Sequence, residues 1–310
     1  MELSYGDVKA AADRITGHVR PVAIAPGDAT GELWLALEFM QHTGSFKARG
    51  ARNFIRAHQD DATLPDAGVT IASGGNAGLA CAWAAREQEV PATVFLPATA
   101  PRVKVERLRG YGADVRLVGT EYADALAACR EFADTSGALP SHAYDNPYIA
   151  AGAGTLMVEL HHLLPRLDTV VVAVGGGGLF AGVATAADHY GVRTIAVEPQ
   201  RCRALHDAIQ AGRIVDAPVD SVAADSLGAR RATELALHAA QNYDVTSVLV
   251  PDADIIAARM ALWQDRRLAV EHAAATALAA LTTKAYRPEP GERVCVVLCG
   301  ANTDPADLAR

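Results

Sequence analysis

The sequence predicts an α/β fold of two αβα domains with mainly parallel sheets, and three observations carry that prediction. Short apolar runs rich in β-branched residues alternate with amphipathic helical stretches through the middle and end of the chain. Those runs are continuously apolar rather than alternating, as strands covered on both faces are. Glycine-rich turns stand where strands end and helices begin, which is where open parallel sheets collect their ligands.

The elements follow in order. The N-terminal stretch MELSYGDVKAAADRITG is polar and amphipathic and has no signal-peptide core. A helical run carrying Ala48, Ala51, Ile55 and Ala57 follows the turn TGSFK. Val69–Ala72 reads as a strand and Ala77–Glu87 as a helix; Ala92–Leu96 is the next strand, and Pro101–Arg109 a helix with proline in its first turn. Val115–Val118 and the helix Glu121–Thr135 complete this part. Thr169–Val174 then leads into the helix Leu179–His189. Arg193–Val197, Ser247–Val250 and Val294–Leu298 are further buried strands, with helices at Asp252–Asp265 and Ala273–Lys284. The expected division is a small domain over residues 41–144 and a large domain from 1–40 and 145–310.

The chain of 310 residues is long enough for a sizeable core, and half of it is hydrophobic. A net charge of −8 spread over a mixed surface argues against nucleic acid or an anionic membrane as a partner. No apolar run approaches the ~20 residues a membrane helix needs. Cys81, Cys129, Cys202, Cys295 and Cys299 are scattered, odd in number and without CxxC spacing. That usage fits reduced thiols in a cytoplasmic protein, not a disulfide framework or a zinc site.

Three stretches carry chemistry. In Thr43–Ala51, TGSFKARGA, Lys47 stands at the start of a helix beside Ser45 and Phe46, with Gly44 permitting close backbone approach. An amine so placed suits a Schiff base with a carbonyl cofactor, although most lysines are solvated surface charges. Gly175, Gly176, Gly177 and Gly178 lie between a strand and a helix, so their amides and the helix dipole can wrap a phosphate. No Lys-Ser/Thr follows them and GxGxxG spacing is absent, so a monophosphate fits better than a nucleotide. Asn76 lies in the strand-to-helix loop SGGNA, and Cys299 ends a strand next to Gly300. An ordinary Asn cap and an inert packing thiol are the plain readings of those two. Together, a Schiff-base lysine, a monophosphate loop and a neutral group for a ring edge describe pyridoxal phosphate.

TGSFKARGA, ASGGNAG, VGGGGL and LCGAN occur in the order and spacing of the β-family, or fold type II, of pyridoxal-phosphate enzymes, whose fold is that of the tryptophan synthase β-subunit. YDNPYIAAGAGT, AVEP, SVAADSLG and LAVEHAAATALAAL extend the likeness over nearly the whole chain, which resembles the serine/threonine dehydratases within that family. The resemblance implies an ammonia-lyase that converts L-threonine and/or L-serine to 2-oxobutanoate or pyruvate plus ammonia, with pyridoxal 5'-phosphate as cofactor. It implies that Lys47 holds the cofactor and takes the Cα proton. Phe46 packs on the ring, Asn76 bonds its 3'-oxygen, and Cys299 faces its nitrogen. Gly175, Gly176, Gly177, Gly178 and Leu179 cradle the phosphate, while Ser45, Ser73, Gly74 and Ala77 receive the substrate carboxylate. A small amino-acid substrate and a homodimer are implied as partners.

Departures from the family pattern include Ala36 in place of a basic residue and His-Ala-Ala after Glu271. Ala204 replaces an acidic metal ligand, leaving Glu198 for a monovalent cation at most, so no metal is expected. The chain ends shortly after Cys299, so a C-terminal regulatory domain is not expected. Other β-hydroxy amino acids (hydroxyaspartate, phenylserine), a cysteine-synthase-type β-replacement, and a non-catalytic cofactor-binding protein are the competing readings.

Overall fold

The computed structural model of the chain describes residues 2–308. In chain order the elements are α1 (Tyr5–Ile15), β1 (Ile24–Pro26), β2 (Leu33–Ala36), α2 (Lys47–Asp60), β3 (Val69–Ala72), α3 (Asn76–Arg86), β4 (Ala92–Leu96) and α4 (Arg102–Gly110). They continue with β5 (Asp114–Leu117), α5 (Tyr122–Ser136), β6 (Leu139–Pro140), α6 (Pro147–Leu163), β7 (Thr169–Ala173), α7 (Gly178–His189) and β8 (Arg193–Pro199). The last are α8 (Ala204–Ala211), α9 (Ala224–Leu227), α10 (Glu234–Asn242), β9 (Val245–Val250), α11 (Asp252–Arg266), α12 (His272–Thr282) and β10 (Val294–Val297).

The strands form two sheets. One has six strands in the order β1-β2-β10-β7-β8-β9; the other has four, β5-β4-β3-β6. Every pairing is parallel except β1 with β2. The fold class expected from the continuously apolar strands is therefore the one observed: β3, β7 and β10 are buried at every position, as strands covered on both faces must be. The four-stranded sheet is drawn from residues 69–140 and the six-stranded sheet from residues 24–36 and 169–297.

The larger core surrounds the six-stranded sheet, and a second one lies between the four-stranded sheet and α2, α3 and α4. Ile15, Val19 and Ile149 join this second core although the strands beside it come from elsewhere in the chain. They tie α1 and α6 to the smaller unit. Expected element ends shift by one or two residues. The one shift with a consequence is at α3, where Asn76 is the first helical residue and Gly75 occupies the cap position. The Asn76 side chain is thereby free for a partner other than its own helix. No helix of the described residues is long and apolar enough to cross a membrane.

Candidate active site

Loops after β3, β7 and β10 converge on the start of α2. Ser45 forms an antiparallel bridge with Gly300, and the Phe46 amide donates to the Cys299 carbonyl at 3.0 Å. This pairing fixes Lys47, the first residue of α2, beside the end of β10. The turn before it is strained: Thr43 has φ 63° and Gly44 φ 79°. The Asn302 side chain holds it by donating to the Thr43 carbonyl at 2.7 Å, and the Ala301 amide donates to the Gly44 carbonyl at 2.9 Å. A side chain at Gly44 would meet Asn302 Oδ1 at 2.9 Å in addition to its left-handed backbone, so only glycine suits this position.

Lys47 Nζ donates to the Ala143 carbonyl at 3.1 Å and sits 4.6 Å from the centre of the Phe46 ring. Burial pulls its pKa down to about 8, against the opposing pull of Cys299 and Glu271. The amine is thus close to half neutral near pH 8, as a nucleophile for a carbonyl requires. Burial pushes the Cys299 thiol up to about 12, and Glu271 adds to that shift. Cys299 is therefore a neutral thiol in the crevice, able to meet a ring nitrogen without imposing a charge.

Asn76 faces the same crevice from α3. Its amide donates to both oxygens of Glu271 at 2.9 and 3.1 Å and its oxygen accepts from Asn302 Nδ2 at 2.6 Å. Glu271 also accepts from the Asn302 amide at 2.8 Å and from Ser226 Oγ at 2.7 Å. Arg107 of α4 donates to Asn302 Oδ1 at 2.8 Å. In the same loop, Ser73 Oγ accepts from the Gly75 amide at 3.3 Å. Ala77 lines a small cavity, about 10 Å³ or roughly one water, with Phe46, Lys47, Ser141 and His142. A Cβ on Gly74 would come 2.6 Å from Leu96 Cδ2.

Gly175 to Gly178 join β7 to α7. A Cβ on Gly176 would enter the Tyr144 ring, one on Gly178 would lie 2.7 Å from the Tyr144 carbonyl, and Gly177 has φ 99°. The loop therefore cannot carry side chains. The segment Ser141–Asp145 links it to Lys47, because Ala143 accepts from Nζ and Tyr144 packs on the glycines. Val174 still donates to Val197 in the sheet, but the amides of Gly175 through Leu179 donate to no acceptor among the described residues. Such a row of free amides at a helix N-terminus is a cradle for an anion. The buried hydroxyls of Ser45 and Thr43 also have no partner among the described residues. Buried polar groups are normally paired, so these donors mark places for polar atoms of a ligand. The fit to a phosphorylated carbonyl cofactor rests on them and on the low pKa of Lys47.

Several contacts here carry no signal in the linear sequence. Glu271, Asn302, Ala143 and Tyr144 lie within recognisable stretches, but their contacts span the whole chain. The same is true of Arg49, which is fully buried two residues along α2 from Lys47, on the opposite side of the helix. It reaches Glu38 at 2.5 and 3.2 Å and Glu159 of α6 at 2.6 and 3.0 Å. Burial works against its charge, but the two carboxylates outweigh it and raise its pKa. Glu198, considered for a cation, is buried and accepts from the Leu205 and His206 amides at 2.8 Å each; burial pushes its pKa up to about 8. Among the described residues, no group of three or more His, Cys, Asp or Glu is placed to hold a metal.

Comparison with known proteins identifies the family of the chain. The family model described as "Pyridoxal-phosphate dependent enzyme" matches residues 18–300. The L-threonine ammonia-lyase of Geobacter sulfurreducens is 36% identical over 309 residues, covering 97% of this chain and 76% of that protein. The human serine dehydratase-like protein is also 36% identical, over 87% of this chain and 85% of its own. Among solved structures, the processed form of threonine deaminase isoform 2 from Solanum lycopersicum superposes with a TM-score of 0.88 at 26% identity, covering 98% of this chain and 85% of that one. Maize serine racemase gives a TM-score of 0.88 at 27% identity over 99% and 96%. With that family model matched over residues 18–300 and relatives 36% identical over most of the chain, the chain belongs to the pyridoxal-phosphate dependent enzymes.

Proposed function

We propose that this protein is a threonine/serine ammonia-lyase, which eliminates water from L-threonine or L-serine and releases 2-oxobutanoate or pyruvate with ammonia. The observation that carries this reading is a single crevice holding a depressed-pKa lysine, a row of free amides and a neutral thiol. The names of the relatives point the same way. A screen of β-hydroxy amino acids, reading 2-oxo acid and ammonium without added thiol, tests it. L-Threonine or L-serine is expected to give equimolar 2-oxo acid and ammonium. Turnover only in the presence of a thiol would instead indicate β-replacement.

Pyridoxal 5'-phosphate would be held by Lys47, by the amides of Gly175 to Leu179, and by Phe46, Asn76 and Cys299. When bound, it supplies an electron sink conjugated to the substrate Cα. The chain does the rest. Lys47 Nζ, once released, stands as the base for the Cα proton. Ser45, Ser73, Gly74 and Ala77 receive the substrate carboxylate at the N-terminus of α3, where the helix dipole favours an anion. Glu271 and Asn302 set the orientation of the Asn76 amide. Cys299, neutral at working pH, does not hold a ring nitrogen protonated as a carboxylate would. A neutral thiol at that position would favour prompt loss of the β-hydroxyl over competing reactions. The enzyme works as a homodimer in the cytoplasm.

Gly74 separates this activity from racemisation, which needs an acid/base on the side opposite Lys47. Gly74 has no side chain to serve. Leu96 Cδ2, the nearest obstacle to a Cβ there among the described residues, is the end of a flexible side chain, so serine can be accommodated. Gly74→Ser is expected to add measurable D-serine formation from L-serine while retaining part of the elimination. Wild-type protein that forms D-serine as fast as pyruvate would contradict the assignment.

A further inference from the structure

His142 has no role in the chemistry so far, yet it lies between the two halves of the site. It belongs to the segment Ser141–Asp145, whose Ala143 carbonyl accepts from Lys47 Nζ and whose Tyr144 packs against Gly176 and Gly178. The His142 ring stands edge-on to Tyr144, with centroids 4.8 Å apart, and lines the same small cavity as Lys47 and Phe46.

Its protonation is set by the backbone. Nδ1 accepts from the Asp145 amide at 2.8 Å and from the Tyr144 amide at 3.3 Å. An imidazole nitrogen that accepts carries no proton, so the neutral ring holds its hydrogen on Nε2. Nε2 has no protein partner among the described residues, and the side chain is exposed. The ring is open to solvent on one side, but partial desolvation on its cavity-facing side lowers its pKa; Asp145 opposes that and the Lys47 ammonium adds to it. The ring therefore stays neutral near pH 7, and protonating Nδ1 would break two backbone hydrogen bonds.

We propose that His142 is a catalytic residue whose Nε2–H donates a hydrogen bond to the departing β-hydroxyl oxygen. This rests on the elimination proposed above. The Cα–H bond breaks with its proton passing to Lys47 Nζ, and its electron pair forms the Cα–Cβ double bond. The Cβ–O bond breaks with both electrons on oxygen, and the proton on Nζ passes to that oxygen, so water leaves. His142 keeps its own proton; it stabilises the charge growing on oxygen, as a fixed neutral imidazole can.

The test compares two substrates that yield the same product. L-Serine loses hydroxide, which needs a donor, whereas β-chloro-L-alanine loses chloride, which does not; both give pyruvate. With rates taken per bound cofactor, His142→Phe is expected to lower kcat on L-serine about 100-fold, the scale of losing one such donor. The same variant should lower kcat on β-chloro-L-alanine less than about 3-fold. His142→Gln, which restores an N–H, should recover at least tenfold of the loss on serine. An equal loss on both substrates, or serine turnover by His142→Phe within about 3-fold of wild type, overturns the assignment. Wild-type protein inert on both overturns it together with the proposed lyase activity; activity in the wild type with an equal loss overturns this assignment alone.

Discussion

Lys47→Ala protein is expected to lose turnover by at least about 10,000-fold, because one side chain both anchors the cofactor and moves the proton. Borohydride treatment of the wild type should leave the cofactor covalently attached to the peptide containing Lys47, and the variant should show no such adduct. The pKa of about 8 adds a pH signature. The neutral amine is the nucleophile, so recapture of added cofactor by stripped enzyme should speed up about tenfold per pH unit below pH 8 and level off above it. For an ordinary lysine the rise would continue to about pH 10. A variant that retains the adduct and its activity would remove Lys47 from the site. Recapture still accelerating at pH 9.5 would show that burial does not depress the amine.

The parts of the fold that were legible are those whose information is local. Strands such as Val69–Ala72 and Val294–Val297 are continuous apolar runs bounded by turn residues, so period and boundary agree. The helix Pro147–Leu163 is different. Its motif YDNPYIAAGAGT stands out in the sequence, but its helical period does not. Ile149 through Met157 are buried without a break, so no polar face marks its period. Its small residues serve a tertiary purpose, since a Cβ on Gly154 would lie 2.5 Å from the Gly182 carbonyl of α7.

The site divides in the same way. Lys47 and the four glycines could be found because turn chemistry and strand-to-helix junctions concentrate their meaning in a few neighbouring positions. Glu271, Asn302 and Asn76 become one hydrogen-bonded unit only when residues 195 and 226 positions apart meet. His142 looked like any loop histidine, and only the amides of Tyr144 and Asp145 on Nδ1 distinguish it. Arg49 has a plainly helical context, in which an arginine reads as a solvated charge. Its burial depends on carboxylates 11 and 110 residues away.

Arg49→Met is expected to destabilise the protein by about 3–5 kcal/mol, the cost of leaving a buried charge without its partner. For a chain of 310 residues that corresponds to a melting point lower by roughly 6 °C. The carboxylate responsible is Glu38, which is 1% exposed and, without Arg49, keeps only a 3.5 Å contact from Gln41. Glu159 matters less, because its side chain is 31% exposed and water can take over. Burial already lifts the Glu38 carboxyl above its ordinary range, against the pull of Arg49, and removing the guanidinium lifts it further. A carboxyl whose folded-state pKa is raised contributes stability below its unfolded pKa and loses it as pH rises through the folded one. The deficit of Arg49→Met relative to wild type should therefore be small near pH 5 and grow towards pH 8. Adding Glu38→Gln removes the stranded charge, so the double variant should regain about 2 kcal/mol and lose the pH dependence. A pH-independent deficit, or a double variant no more stable than Arg49→Met alone, would mean that lost packing around α2, and not the uncompensated Glu38 charge, accounts for the effect.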